Sequence, residues 1–453
     1  MRLATILAML GALLAWLSAT TFQPESSATA APAGTTRLQY VGAGSCASAA
    51  CHSQPVPQGT TGCEYTTWAS RDRHARAYTV LLEDRSKQIE KNLKRLPSLA
   101  DAKPEENQFC LKCHALPLPP EQQGRTALLL DGVSCERCHG PAQHWLARHY
   151  LPDWQRTSAT EKQRLGMYPT KDLVFRAELC ASCHVGTTDA DPIHDLLGAG
   201  HPRINHYEFS NHLAQMPPHW NERRERARQP GIEARAWAIG QVVSARAALE
   251  LLEKRARDRT SPWPEFAEYE CAACHHDLRE PSIREQPGPG KPQLSALSWN
   301  TWFEPALPYA LDGDLPPEFA EIRRLMAERY PDRDRVAPLA RAAADRLREA
   351  LPRVASARYD EPDQLARRLA AVADGPPPTG WDGAAQRYLA LTALYRTLGE
   401  LAPQRRQPSI LASLRTLHGM LEPPPGRDVR NPHRLSLERF REEQQKIRDQ
   451  LGR

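Results

Sequence analysis

The chain is poor in aromatic side chains, at 7% of its 453 residues, and holds only 6 methionines. Apolar residues reach 41%, enough for an ordinary core but not a generous one. A formal net charge of +5 is small for this length, so nothing points to nucleic acid, which needs a concentrated basic face. Beyond the N-terminus no apolar run approaches the length of a membrane span. Cysteine is absent after Cys274, and His276 is followed only by His418 and His433. The side chains able to bind metals or do redox chemistry are thus concentrated in the first part of the chain.

What is present begins with Arg2 and an apolar run from Leu3 to Leu17, followed by small and polar residues through Ala31 and Ala33. That order reads as an export signal over residues 1–34, with a retained N-terminal anchor and membrane association as the alternative. The run is short for a span. The remainder is expected in the periplasm or another exported compartment.

Ten of the eleven cysteines fall into pairs that run straight into a histidine. Four pairs have C-x-x-C-H spacing: Cys110, Cys113 and His114; Cys135, Cys138 and His139; Cys180, Cys183 and His184; Cys271, Cys274 and His275. A fifth is wider, with Cys46 and Cys51 before His52. This is the attachment signature of c-type haem. Two thiols reach two vinyl groups on one edge of a porphyrin, and the next residue sets its imidazole against the iron. Disulfides suit an exported protein but give no reason for the adjacent histidine, and zinc sites give none either. Five covalent haems c are therefore expected. Cys63 is left over and reads as a small buried thiol.

Nine further histidines lie in the same stretch: His74, His144, His149, His194, His201, His206, His212, His219 and His276. Methionine, the other common axial ligand, contributes only Met167 and Met216 there. Ligation by two histidines, with low reduction potentials, is the expectation. From Cys46 to His276 there is too little protein to bury five porphyrins separately. The haems must lie close together and supply much of the core themselves, which makes a path for electrons.

The expected fold is mainly α: a loop-rich haem-packed domain over residues 35–280, a Pro- and Gly-rich linker at 281–296, and a helical bundle over 297–453. Short helices are expected at Asp72–Leu82 and Pro141–Tyr150. His194 and His201 flank Gly198 and Gly200, which indicates a bend that lets them serve two haems. A long amphipathic helix is expected from Ile232 to Arg257, with Ile232, Ala236, Ile239, Val243 and Ala247 on one face. It either walls a porphyrin or is a plain core helix. Helical spacing recurs at Phe319, Ile322, Met326 and Tyr330, again at Leu339, Ala343, Leu347 and Leu351, and at 363–373, 383–402, 408–421 and 434–451. This cysteine-free bundle either docks a partner or covers the haem domain, the plainer of the two.

Between residues 40 and 278 the phrases YVGAGSCASAACH, WASRDRHARAY, GVSCERCHGP, ELCASCHVG, IHDLLGAGHPR and YECAACHHDL resemble the cytochrome c-554 family. The resemblance does not cover the C-terminal helices. It implies haems in stacked pairs, mostly held by two histidines, with His74, His149, His194 and His201 as distal ligands. His144 competes with His149. The family's best-known type has four haems, so one haem here falls outside its pattern. The expected function is periplasmic electron transfer with protein redox partners of unknown identity. The alternative is a multihaem oxidoreductase acting on a small nitrogen or sulfur compound at one open iron. No C-x-x-C-K motif supports that alternative.

Overall fold

Helices account for the regular structure, as the sequence indicates, and the computed structural model describes residues 38–94, 103–202, 204, 206–271, 274, 297–313, 315–422 and 435–451. Among the described residues there is no strand, only isolated bridges such as Tyr40–Gln123 and Tyr269–Trp299. Residues 39–453 group as one unit and residues 1–38 as another. The export signal, the 281–296 linker, His275 and His276 lie outside the described residues.

The Ile232–Arg257 helix appears with the bounds its periodicity indicates, but it is not amphipathic over its middle. Ala236 through Ala245 are all buried, because neighbours pack on every side. On one side lie the Leu173–His184 and Phe209–Gln215 helices, on others Leu307–Leu311, Arg333–Ser356 and Trp381–Leu401. Gly240 permits the approach of the Phe209–Gln215 helix, since a β-carbon there would stand 2.5 Å from Phe209 Cβ. The helix therefore joins the cysteine-bearing region to the C-terminal helices in one continuous apolar core that runs from Leu173 to Ile447.

The C-terminal helices form where their spacing indicates: Glu318–Met326, Arg333–Ser356, Pro362–Asp374, Trp381–Leu401, Pro408–Leu421 and Leu437–Leu451. Asp332 starts the longest of them by accepting from Asp334 and Arg335 backbone N–H groups. Tyr330 falls outside its expected helix and is 76% exposed.

Residues 39–172 are built differently. Their buried apolar groups form only small clusters, one of Ala142, Trp145, Trp154 and Leu165, another of Leu81, Leu111 and Ala115. Two expected helices are corrected here. Asp72–Leu82 is a pair of 3-10 turns, Arg73–Arg76 and Thr79–Leu82, the first capped by the Asp72 side chain. Pro141–Tyr150 is a run of turns rather than a helix, tied by Leu146 N–H to Ala142 O and His149 N–H to Trp145 O. The expected bend between His194 and His201 is present: a five-residue helix, His194–Gly198, followed by Gly200 at φ 115°.

Candidate metal centres

Three of the motifs are wound into helices that end on their histidine: Gln108–His114, Cys135–His139 and Leu173–His184. Asn107 and Asp172 cap the first and last through side-chain oxygens that accept backbone N–H groups. A single helical turn puts both thiols and the imidazole on one side, as attachment to one porphyrin edge requires. None of the eleven cysteines is in a disulfide. Cys63 is buried, donates to Thr60 O and accepts from the Thr67 hydroxyl, in keeping with a structural thiol.

The motifs touch one another. Arg137, inside the third motif, donates to Lys112 O of the second at 3.1 Å and approaches Cys183 Sγ of the fourth at 3.9 Å. The Cys46 and Cys135 thiols are hydrogen-bonded neighbours, and so are Cys113 and Cys183. Burial pushes the Cys138 thiol up to about 12 and the Cys180 thiol up to about 11.

Each of the four described motif histidines faces a second imidazole. His52 and His149 have ring centres 5.9 Å apart with planes 10° from parallel. His184 and His74 stand at 6.2 Å and 90°, His114 and His201 at 6.1 Å and 87°, His139 and His219 at 6.5 Å and 83°. Nδ1 is occupied in five of these rings. His52 Nδ1 pairs with Glu64 Oε2 at 2.9 Å and His74 Nδ1 with Asp72 Oδ1 at 2.9 Å. In His114, His149 and His201 it meets the carbonyls of Ala77, Leu146 and Pro202 at 2.7, 2.8 and 2.7 Å. That bond fixes the tautomer and leaves Nε2 with its lone pair for a metal. Burial holds His139 and His184 down at about 4, in the neutral form a metal needs.

The residues present fit haem c. Two metal–nitrogen bonds of about 2.0–2.1 Å, with about 1.1 Å from each nitrogen to its ring centre, separate trans imidazoles by about 6.3 Å. The four observed separations bracket that value. Among the described residues no group of three or more His, Cys, Asp or Glu gathers as an ion cage; the imidazoles meet in pairs, except that His184 has His212 at 5.3 Å as well as His74. The sparse apolar clusters of residues 39–172 fit the same conclusion, since porphyrin faces would complete that part of the core.

Residues 45–140, which hold the first three motifs, match the family model for cytochrome c554 and c-prime. The match supports a c-type cytochrome. It supports covalent haem c as the cofactor and electron transfer as its work, in a class of protein that is typically exported. No curated protein and no solved structure matches the chain. Among the described residues no helix is long and apolar enough to cross a membrane.

Of the four histidines singled out as distal ligands by resemblance, His74, His149 and His201 each face a motif histidine. His144 is exposed, while the half-buried His149 has its ring centre 5.9 Å from that of His52, with the two planes near parallel. His194 faces none of the four described motif histidines. Its ring meets Phe266 edge-on at 5.8 Å, and the His194 backbone N–H donates to Glu265 Oε1, in the run that leads to Cys271. Sequence reasoning left His219 unassigned. Nothing in the sequence set it apart from His206 and His212, which were likewise without a role.

Proposed function

We propose that the chain is an exported pentahaem cytochrome c that relays electrons between protein partners, with its irons held mostly by two histidines. The opposition of a second imidazole to every described motif histidine carries this reading. The cysteines at 46 and 51, 110 and 113, 135 and 138, 180 and 183, and 271 and 274 would bind the five haems. His52, His114, His139, His184 and His275 would be the proximal ligands, and His149, His201 and His74 the distal ones at the first, second and fourth motifs. Bound haem supplies a reversible one-electron couple; the protein sets its potential through ligands, burial and hydrogen bonds.

The chain's own residues do the rest. Asp72 and Glu64 orient His74 and His52 and make them more electron-donating, which favours the oxidised metal and a low potential. Contact of the first motif with the third, and of the second with the fourth, supports two close pairs of haems along one conduction path. His194 is the candidate distal ligand at the fifth motif, supported by its tie to Glu265. The oxidoreductase alternative needs an iron with an open position, and the facing imidazoles argue against one at the first four motifs.

Intact mass of the purified exported protein, with the alkaline pyridine spectrum, tests the count. Five thioether-bound haems add about 0.6 kDa each. The reduced protein is expected to give low-spin spectra with little response to carbon monoxide. A colourless protein at bare polypeptide mass refutes the reading, and a strong carbon monoxide response at several haems refutes the two-histidine assignment.

A further inference from the structure

We propose that His219 is the distal axial ligand of the iron held by Cys135, Cys138 and His139. This deepens the multihaem reading and rests on it. His219 sits in a short connector between the Phe209–Gln215 and Glu222–Arg228 helices, directly after Pro217 and Pro218. Two successive prolines restrict the backbone there and present the next side chain in a defined direction. The ring faces His139 at 6.5 Å between centres, close to the separation of trans imidazoles on one iron. Trp220 braces it edge-on at 5.1 Å.

The environment of the ring argues for a ligand rather than a buried structural histidine. A structural histidine is held by hydrogen bonds on its nitrogens. His219 Nδ1 is buried and makes no hydrogen bond of good geometry, although the Pro217 carbonyl lies beside it. Rotation of the ring by a small angle on binding iron through Nε2 would complete that bond and fix the tautomer, as in the other pairs.

The competitors for this position are poorer. Met167 adjoins the third motif, since its neighbour Tyr168 donates to His139 O at 2.9 Å. Its side chain, however, packs with Trp145, Trp154 and Leu165. His144 is exposed, and His212 lies against Tyr207 and His184 of the fourth motif, 4.6 and 5.3 Å away between ring centres. With His219 in place, no iron among the first four motifs is left with an open position for a small substrate.

The test is His219→Ala and His219→Met in the full haem-loaded protein, beside His149→Ala, read by electron paramagnetic resonance and carbon monoxide difference spectra. His219→Ala is expected to convert one haem equivalent from low to high spin, to bind one equivalent of carbon monoxide, and to return to low spin on adding imidazole. His219→Met is expected to keep that haem low-spin, with a higher potential and the long-wavelength sulfur–iron charge-transfer band; it decides the question if the alanine variant does not fold. Unchanged spectra in the His219 variants, with a high-spin haem in His149→Ala, overturn the assignment of His219 alone. Unchanged spectra in all three overturn the two-histidine reading itself.

Discussion

Arg255 offers the sharpest energetic test of how the cysteine-bearing region is held to the rest. It lies near the end of the Ile232–Arg257 helix with its side chain only 9% exposed, against Asp191 at 6% and Glu268 at 7%. The guanidinium donates to Asp191 at 2.5 Å and to Glu268 at 2.6 Å. Burial alone would lower its pKa, but the two carboxylates outweigh it and the pKa is raised. Asp191 lies seven residues after His184 and Glu268 three before Cys271, so one cation ties the flanks of two motifs to the central helix. Removing one partner of a buried charge network costs about 3–5 kcal/mol, because the partners stay buried and uncompensated. Here each carboxylate keeps one donor, Lys254 on Asp191 at 3.0 Å and Trp299 on Glu268 at 2.9 Å. The lower end, about 3 kcal/mol, is therefore the expectation for Arg255→Met. Denaturant titration of the haem-loaded protein, followed by helix circular dichroism, measures it. The triple variant Arg255→Met, Asp191→Asn, Glu268→Gln should recover at least half of the loss, since no fully buried charge is left unpaired and the Lys254 ammonium, one-third exposed, keeps its hydration. A loss under about 1 kcal/mol for the single variant, or a triple variant no better than the single, would show that the network is not desolvated as described.

The ring angles give a second test. Parallel axial imidazoles split the iron d orbitals and yield rhombic low-spin signals, whereas perpendicular rings leave them nearly degenerate and yield a large maximal g value. His52 and His149, at 10°, should give a rhombic signal, and the three pairs at 83–90° should give the large-g type. A fully oxidised spectrum with only rhombic signals would contradict the geometry. The third concerns Glu208, whose burial pushes its pKa up to about 7 from 4.5. Because the folded value is the higher one, its contribution is fully present below about pH 4.5 and is lost as pH rises through about 7. Stability should fall over that window by on the order of 2–3 kcal/mol, and Glu208→Gln should flatten the fall. An identical pH slope in the variant would refute the assignment.

The cysteine motifs and their histidines were legible because their spacing is local and closes within one turn of chain such as Cys135–His139. The C-terminal helices were legible for a similar reason, since spacings such as Ala343, Leu347 and Leu351 record which face is buried. The Ile232–Arg257 helix was legible in extent but not in burial, because its second and third packing faces come from helices far along the chain. The ring opposite each motif histidine was not legible from spacing at all. His74 meets His184, His114 meets His201 and His139 meets His219 across long stretches of sequence, and no local periodicity encodes those encounters. Sequence alone determined which residues can grip a porphyrin edge. Only the tertiary structure decided which second imidazole faces each motif histidine, because that is set by where two distant segments are packed.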